Sequence, residues 1–87
     1  MHFTYILKSK KLKKLYLGHT NNLQKRFVQH NQGLVKSTKS YLPWGIIYYE
    51  AYFSKEDAVH REQNLKLRAN AWNQLKLRIR KSIQNAN

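Results

Sequence analysis

The sequence predicts an α+β fold, one small sheet flanked by helices in the order β-β-α-β-α-α. Two short aromatic segments near the N-terminus, joined by a lysine-rich connection, read as a hairpin. A longer β-like run, Trp44 to Phe53, supplies a third strand. Helical spacing of apolar residues marks the stretches between and after. At 87 residues the chain has room for one domain with a modest core, here residues 1–87.

His2 to Lys8 alternates and is partly β-branched or aromatic, so it reads as the first strand. Ser9 to Lys14 is the polar connection, and Leu15 to Gly18 the second strand. Asn21 or Asn22 can cap the first helix, whose apolar edge is Leu23, Phe27 and Val28. Gly33 is its stop signal. A Lys/Ser/Thr-rich loop follows from Leu34 to Pro43. Trp44 to Phe53 is the most apolar strand and is expected at the centre of the sheet, with one face in the core. Ser54 and Asp57 resemble a capping box for a helix running to about Arg68. Asn70 can cap a basic C-terminal helix over about 70–84, with Trp72, Leu75, Ile79 and Ile83 on one stripe.

A net charge of +13 points to a polyanionic partner. Nucleic acid is the expected one, because each phosphate contact releases condensed counterions. No long apolar run or wide amphipathic basic face argues for a membrane. The absence of cysteine excludes disulfide scaffolds, thiolate metal sites and cysteine nucleophiles. The N-terminus does not read as a signal peptide, so a cytoplasmic protein is expected. Oligomeric state is not legible.

Four acids stand against this charge: Glu50, Glu56, Asp57 and Glu62. Glu56 and Asp57 suit a helix N-terminus. Glu50 and Glu62 are left as candidate ligands for a hard metal ion. Glu62 falls on the stripe of Ala58, Leu65 and Ala69, where a lone carboxylate is costly. The plainer alternative is an exposed i,i+4 pair with Lys66. Arg26 and His30 share a helix face one turn apart. An arginine there can clamp phosphate, and a histidine can move protons near neutral pH. The plainer alternative is a solvated face. Tyr5 and Tyr16 can face the same side of the hairpin, or simply belong to the core. The lysines at 10, 11, 13 and 14, and Arg78, Arg80 and Lys81 in the 76–81 run, suit phosphate contacts on DNA or RNA alike.

Taken together, these residues resemble the GIY-YIG nuclease family, in particular small stand-alone members and the N-terminal nuclease domain of the bacterial excision-repair nuclease. Phe3-Thr4-Tyr5 stands at the first triplet and Tyr16-Leu17-Gly18 at the second. Thr20, Asn22-Leu23, Arg26, His30-Asn31, Gly33, Lys39, Pro43-Trp44, Tyr49-Glu50, Ala58, Glu62 and Leu65-Lys66 continue the likeness over residues 3–68. The more conspicuous Gly45-Ile46-Ile47-Tyr48-Tyr49 string follows the Arg26 helix and is set aside as the third strand. Phe3 and Thr4 depart from the first triplet, and His19 stands where some relatives have lysine.

The resemblance implies a three-stranded antiparallel sheet flanked by helices and phosphodiester hydrolysis with one divalent metal, Mg²⁺ or Mn²⁺. It implies Glu62 as the metal's sole protein ligand and Tyr5 as the group that activates the attacking water. Arg26 would stabilise the phosphorane-like charge, and Tyr16 and His30 would position or assist the nucleophile. His19, Lys39 and Lys66 join the phosphate-binding candidates. One metal cannot both stabilise the leaving oxygen and generate a nucleophile on the far side, so a separate base is needed. The basic surroundings are expected to favour the Tyr5 phenolate. The reading is an endonuclease acting on DNA, structure-selective and of a DNA-repair kind. The alternatives are a non-catalytic DNA- or RNA-binding module and an RNA-directed nuclease.

Overall fold

A computed structural model describes residues 1–86. The elements are β1 (His2–Ser9), β2 (Leu15–Thr20), α1 (Leu23–Asn31), a 3-10 turn (Lys39–Tyr41), β3 (Trp44–Tyr52), α2 (Lys55–Leu67), α3 (Ala69–Arg78) and α4 (Arg80–Asn85). The strands form one antiparallel sheet in the order β2-β1-β3.

The central strand is therefore β1, not the longer and more apolar β3. Thr4, Tyr5, Ile6 and Leu7 are all buried, so β1 is covered on both faces. A consecutive apolar run, Tyr5-Ile6-Leu7, fits such a strand, but β3 carries a longer one in Ile46-Ile47-Tyr48-Tyr49 and still lies at an edge. β3 lies at an edge and leaves Tyr49 exposed. It also carries a bulge: Ile6 pairs with Tyr48 and Leu7 with Ile46, so Ile47 is the extra residue. The bulge sends Ile46 to one face of the sheet and Tyr48 to the other.

Each face has its own core. Tyr5, Leu7 and Trp44 pack with Tyr16, Leu23, Phe27 and Ile46 beneath α1. Ile6, Leu65, Leu75 and Ile79 pack with Leu15, Leu17, Tyr48 and Trp72 beneath α2 and α3. The departures at the first triplet have structural partners. The Phe3 ring meets the Tyr49 ring edge-on at 5.9 Å. The buried Thr4 hydroxyl donates to the Ala58 carbonyl at 2.8 Å and docks α2 one turn before Glu62.

Helix ends follow local chemistry. Asn22 Oδ1 accepts from the Lys25 amide, a side-chain cap for α1. Gly33 takes the left-handed conformation after that helix, at φ 75°. Ser54 does occupy the N-cap of α2, but its hydroxyl donates to Glu56 instead of capping the backbone. α2 stops at Leu67 because Arg68 is extended, so the apolar stripe ends at Leu65 and Ala69 is exposed. The expected single C-terminal helix is two, broken at Ile79. The Lys8 ammonium donates to the Ile83 carbonyl at 2.6 Å and ties α4 to β1.

Candidate active site

In the register of the sheet, Tyr5 pairs with Gly18 and Thr4 with His19. Cross-strand partners share a face, so Tyr5 points to the α1 side and His19 to the α2 side. Both groups of side chains converge at the open edge strand β2, around Gly18 and His19. Gly18 is required by close approach: a Cβ there would lie 2.7 Å from the Tyr5 hydroxyl and 2.8 Å from Cζ. The tyrosine thus passes directly under the second triplet.

The Tyr5 hydroxyl lies 2.8 Å from His30 Nε2. His30 Nδ1 lies 2.8 Å from the Thr38 hydroxyl oxygen, and that hydroxyl donates to the Val35 carbonyl at 3.3 Å. With its hydrogen on Val35, Thr38 can accept from His30 Nδ1–H. His30 Nε2 is then the acceptor for the Tyr5 phenol. His30 is fully buried, so the plainer reading of a solvated face fails for it. Burial, aided by the Arg26 guanidinium, lowers its pKa to about 4. The Tyr16 ring lies edge-on to the imidazole at 4.9 Å and 6.3 Å from the Tyr5 ring. Tyr16 is thus both a core residue and a wall of this site.

The expected phenolate at Tyr5 is overturned. Burial pushes Tyr5 up to about 12, and the Tyr16 and Glu62 charges add to the rise. Arg26 opposes it but does not win. The surface lysines make a field in water, whereas the phenol is buried, so desolvation dominates.

On the other face, Glu62 is buried on α2. One carboxylate oxygen pairs with His19 Nδ1 and the other with Lys66 Nζ at 2.5 Å. Burial alone would raise its pKa, but the Lys66 and His19 hydrogen bonds outweigh it and hold it below the usual value. The i,i+4 pair with Lys66 therefore exists, on a buried acid and not on a solvated flank.

Glu50 is spent elsewhere. It accepts two hydrogen bonds from Arg61, at 2.9 and 3.0 Å, and one each from Tyr48 and Tyr52. That removes it as a metal candidate. Glu56 takes the Ser54 hydroxyl, and Asp57 is exposed on the first turn of α2. Among the described residues no cluster of three or more His, Cys, Asp or Glu is poised for a metal. The donor at Glu62 is one carboxylate, whose two oxygens hold His19 and Lys66 and would have to release one of them to an ion. A single carboxylate suits Mg²⁺, which keeps most of its waters and takes one or two carboxylates plus substrate phosphate.

A groove of about 420 Å³ opens beside the site, lined by His2, His19, Thr20, Lys25, Arg26 and Lys55 among others. No acid among the described residues lines it, so it suits a phosphate backbone. Arg26 is half-buried there and donates to Gln29 at 3.3 Å. Of the phosphate-binding candidates, His19 lines the groove, and Lys66 stands outside it on Glu62. Lys39, Arg78, Arg80 and Lys81 are exposed but stand outside it. Arg78 instead lines a second groove with Arg61 and Gln74. Sequence reasoning does not single out Thr38, Lys25 or Lys55. Nothing in a Lys/Ser/Thr loop signals which hydroxyl will be buried.

Residues 1–76 match the family model described as the GIY-YIG catalytic domain. A UPF0213 protein of Clostridium perfringens is 42% identical over 67 residues, covering 76% of this chain and 71% of that protein. Another, from Staphylococcus haemolyticus, is 39% identical over 66 residues, covering 75% and 79% respectively. No solved structure matches. Among the described residues no helix is long and apolar enough to cross a membrane. The β2-β1-β3 sheet, the tyrosine under the second triplet and the matched family model agree: the chain belongs to the GIY-YIG family of nucleases.

Proposed function

We propose that this protein, acting as one domain over residues 1–87, is a divalent-metal-dependent endonuclease that hydrolyses phosphodiester bonds in DNA. We further propose that it selects structure, such as flaps, branches or single strands, over sequence. The observation that carries the reading is the Tyr5 hydroxyl. It is held on a neutral, buried His30 next to a cationic groove, with Glu62, paired to His19 and Lys66, on the other face of the sheet.

The chemistry follows from the two pKa values. Tyr5 at about 12 is not a standing base. It can relay: an attacking water gives its proton to the Tyr5 oxygen while the Tyr5 proton passes to His30 Nε2. Tyr5 ends protonated as it began, so its own acidity cancels from the overall step. The energy is set by the water and by the basicity of His30. Arg26 is one of the two causes that keep that basicity low. A substrate phosphate clamped by Arg26 offsets this smaller cause and raises the basicity of His30 in part, while burial, the larger cause, stays. The same guanidinium stabilises charge that develops on the phosphoryl oxygens. Glu62 would hold the metal, which when bound polarises the scissile phosphate and stabilises the leaving oxygen. Tyr16 walls the histidine and keeps water from it. His19, Lys25 and Lys55 supply phosphate contacts along the groove, and Lys66 supplies one beside Glu62.

The test is cleavage of a panel of single-stranded, duplex and branched DNA and the matching RNAs, with Mg²⁺, with Mn²⁺ and with chelator. The expected result is metal-dependent cutting of branched or single-stranded DNA, abolished by chelator and by Glu62→Ala. Binding with no cleavage on any substrate returns the non-catalytic reading. Preferential cutting of RNA returns the RNA-directed one. Glu62→Ala that cuts like the native protein removes the metal assignment.

A further inference from the structure

We infer that Thr38 is a positioning residue that fixes the tautomer of His30, and with it the direction in which the Tyr5 proton can move. Nothing in the sequence pattern marks this residue; its place in the fold does.

Thr38 is fully buried at the end of the loop after α1. It is held from three sides. Its amide and its hydroxyl both donate to the Val35 carbonyl, at 3.1 and 3.3 Å. Its own carbonyl accepts from the Trp44 indole at 2.9 Å and from the Tyr41 amide at 3.1 Å. Trp44 is in turn pinned by Asn31, which accepts from the Trp44 amide at 2.7 Å and donates to the Trp44 carbonyl at 3.0 Å. The Asn31 and Trp44 positions thus act on the site through Thr38.

The consequence is directional. A threonine hydroxyl has one hydrogen and can accept from others. The hydrogen goes to Val35, so the oxygen faces His30 Nδ1 as an acceptor only. The imidazole must then carry its hydrogen on Nδ1. A bare lone pair on Nε2 faces the phenol, which donates to it. In the opposite tautomer Nε2–H would donate to the Tyr5 oxygen, and the Thr38 hydrogen would have to leave Val35 for Nδ1. The phenol hydrogen would then lose the acceptor it has in His30, a cost at a fully buried hydroxyl. When His30 takes up the Tyr5 proton, Nδ1–H is already bonded and the imidazolium keeps both partners. No group has to rotate during the transfer.

The tautomer can be read on the free protein by long-range ¹H–¹⁵N correlation of the His30 ring at neutral pH. This part does not depend on the nuclease reading. The expected spectrum has a protonated Nδ1 and an unprotonated Nε2. Thr38→Val keeps the shape and removes the acceptor, and should mix or reverse the tautomers. Thr38→Ser should restore the native pattern. The kinetic part rests on the proposed nuclease activity. Thr38→Val should lower kcat on the order of 10²-fold with little change in KM and shift the acid limb of the kcat–pH profile. Thr38→Ser should stay within about threefold of native. A native His30 with its hydrogen on Nε2 overturns the inference, whatever Thr38→Val does to folding. So does a Thr38→Val protein with the native tautomer and native pH profile. A native protein that cuts nothing but shows the Nδ1–H tautomer would instead count against the nuclease reading alone.

Discussion

Gly18→Ala probes the geometry of the site most sharply, because the second triplet lies directly over the catalytic candidate. The new methyl would stand 2.7 Å from the Tyr5 hydroxyl, 2.8 Å from its Cζ and 3.0 Å from Tyr16 Cε2. Ordinary contact begins near 3.4 Å, so the hydroxyl is about 0.7 Å too close. The phenol is walled by the core and by His30, and the strand above it is paired, so the clash must be relieved by moving Tyr5. A shift of that size stretches its 2.8 Å bond to His30 to the limit of hydrogen bonding. Overpacking of this kind costs about 1–3 kcal/mol. For a domain of this size each kcal/mol lowers Tm by about 4–8 °C. A reacting group displaced by nearly an ångström costs up to about 10²-fold in kcat. Urea unfolding and single-turnover cleavage measure both. Gly45→Ala is the control, since its methyl would meet only the flexible Lys10 Cε at 3.4 Å. Combining Gly18→Ala with Tyr5→Phe removes the nearest clashing atom, so the double mutant should be more stable than the sum of the singles. Gly18→Ala as stable as native, or strict additivity with Tyr5→Phe, would refute the close-approach argument.

The remaining predictions concern charge. His30 is neutral when folded and has a pKa of about 4 against 6.5 unfolded. The unfolded chain therefore binds a proton that the folded one refuses, and stability should fall by about 3 kcal/mol between pH 6.5 and 4. On the alkaline side, Tyr5 at about 12 against 10 should cost a similar amount, about 3 kcal/mol, between pH 10 and 12. Urea midpoints against pH measure both limbs, and a flat profile in either window contradicts the burial assigned to that group. Arg61→Ala strips Glu50 of its bidentate partner and should destabilise by about 2 kcal/mol, leaving Mn²⁺ affinity unchanged by calorimetry. Replacing Arg78, Arg80 and Lys81 together by alanine should weaken DNA binding and lower the slope of log K against log salt by about 2–3, if each meets a phosphate. An unchanged slope would make them a solvated face.

Much of the fold is legible in the sequence because periodicity and caps are local. The hairpin, Asn22 at its helix, the Gly33 stop and Leu75 and Ile79 on one stripe need only nearest neighbours in the chain. The central strand is not, because length and apolarity do not say which strand is covered twice, and β3 has a longer consecutive apolar run than β1. After the helix break at Ile79, α4 is tied to β1 by Lys8, seventy-five residues from its acceptor at Ile83. The same divide runs through the site. Glu62 stands out as an acid on an apolar stripe, but the elimination of Glu50 requires its partners on β3 and α2. The ionisation of Tyr5 goes against the expectation because net charge is read from the sequence, whereas burial is a property of the packed sheet. Thr38 is invisible for the same reason.

The central claim is that the Tyr5 hydroxyl carries the proton of the attacking water to His30. The most direct measurement pairs the affinity of Tyr5→Phe for a branched DNA with its single-turnover cleavage rate on that DNA. Phenylalanine keeps the ring in the core and deletes only the hydroxyl. The account predicts native affinity with cleavage reduced by about 10²–10⁴-fold. Cleavage at the native rate would contradict it.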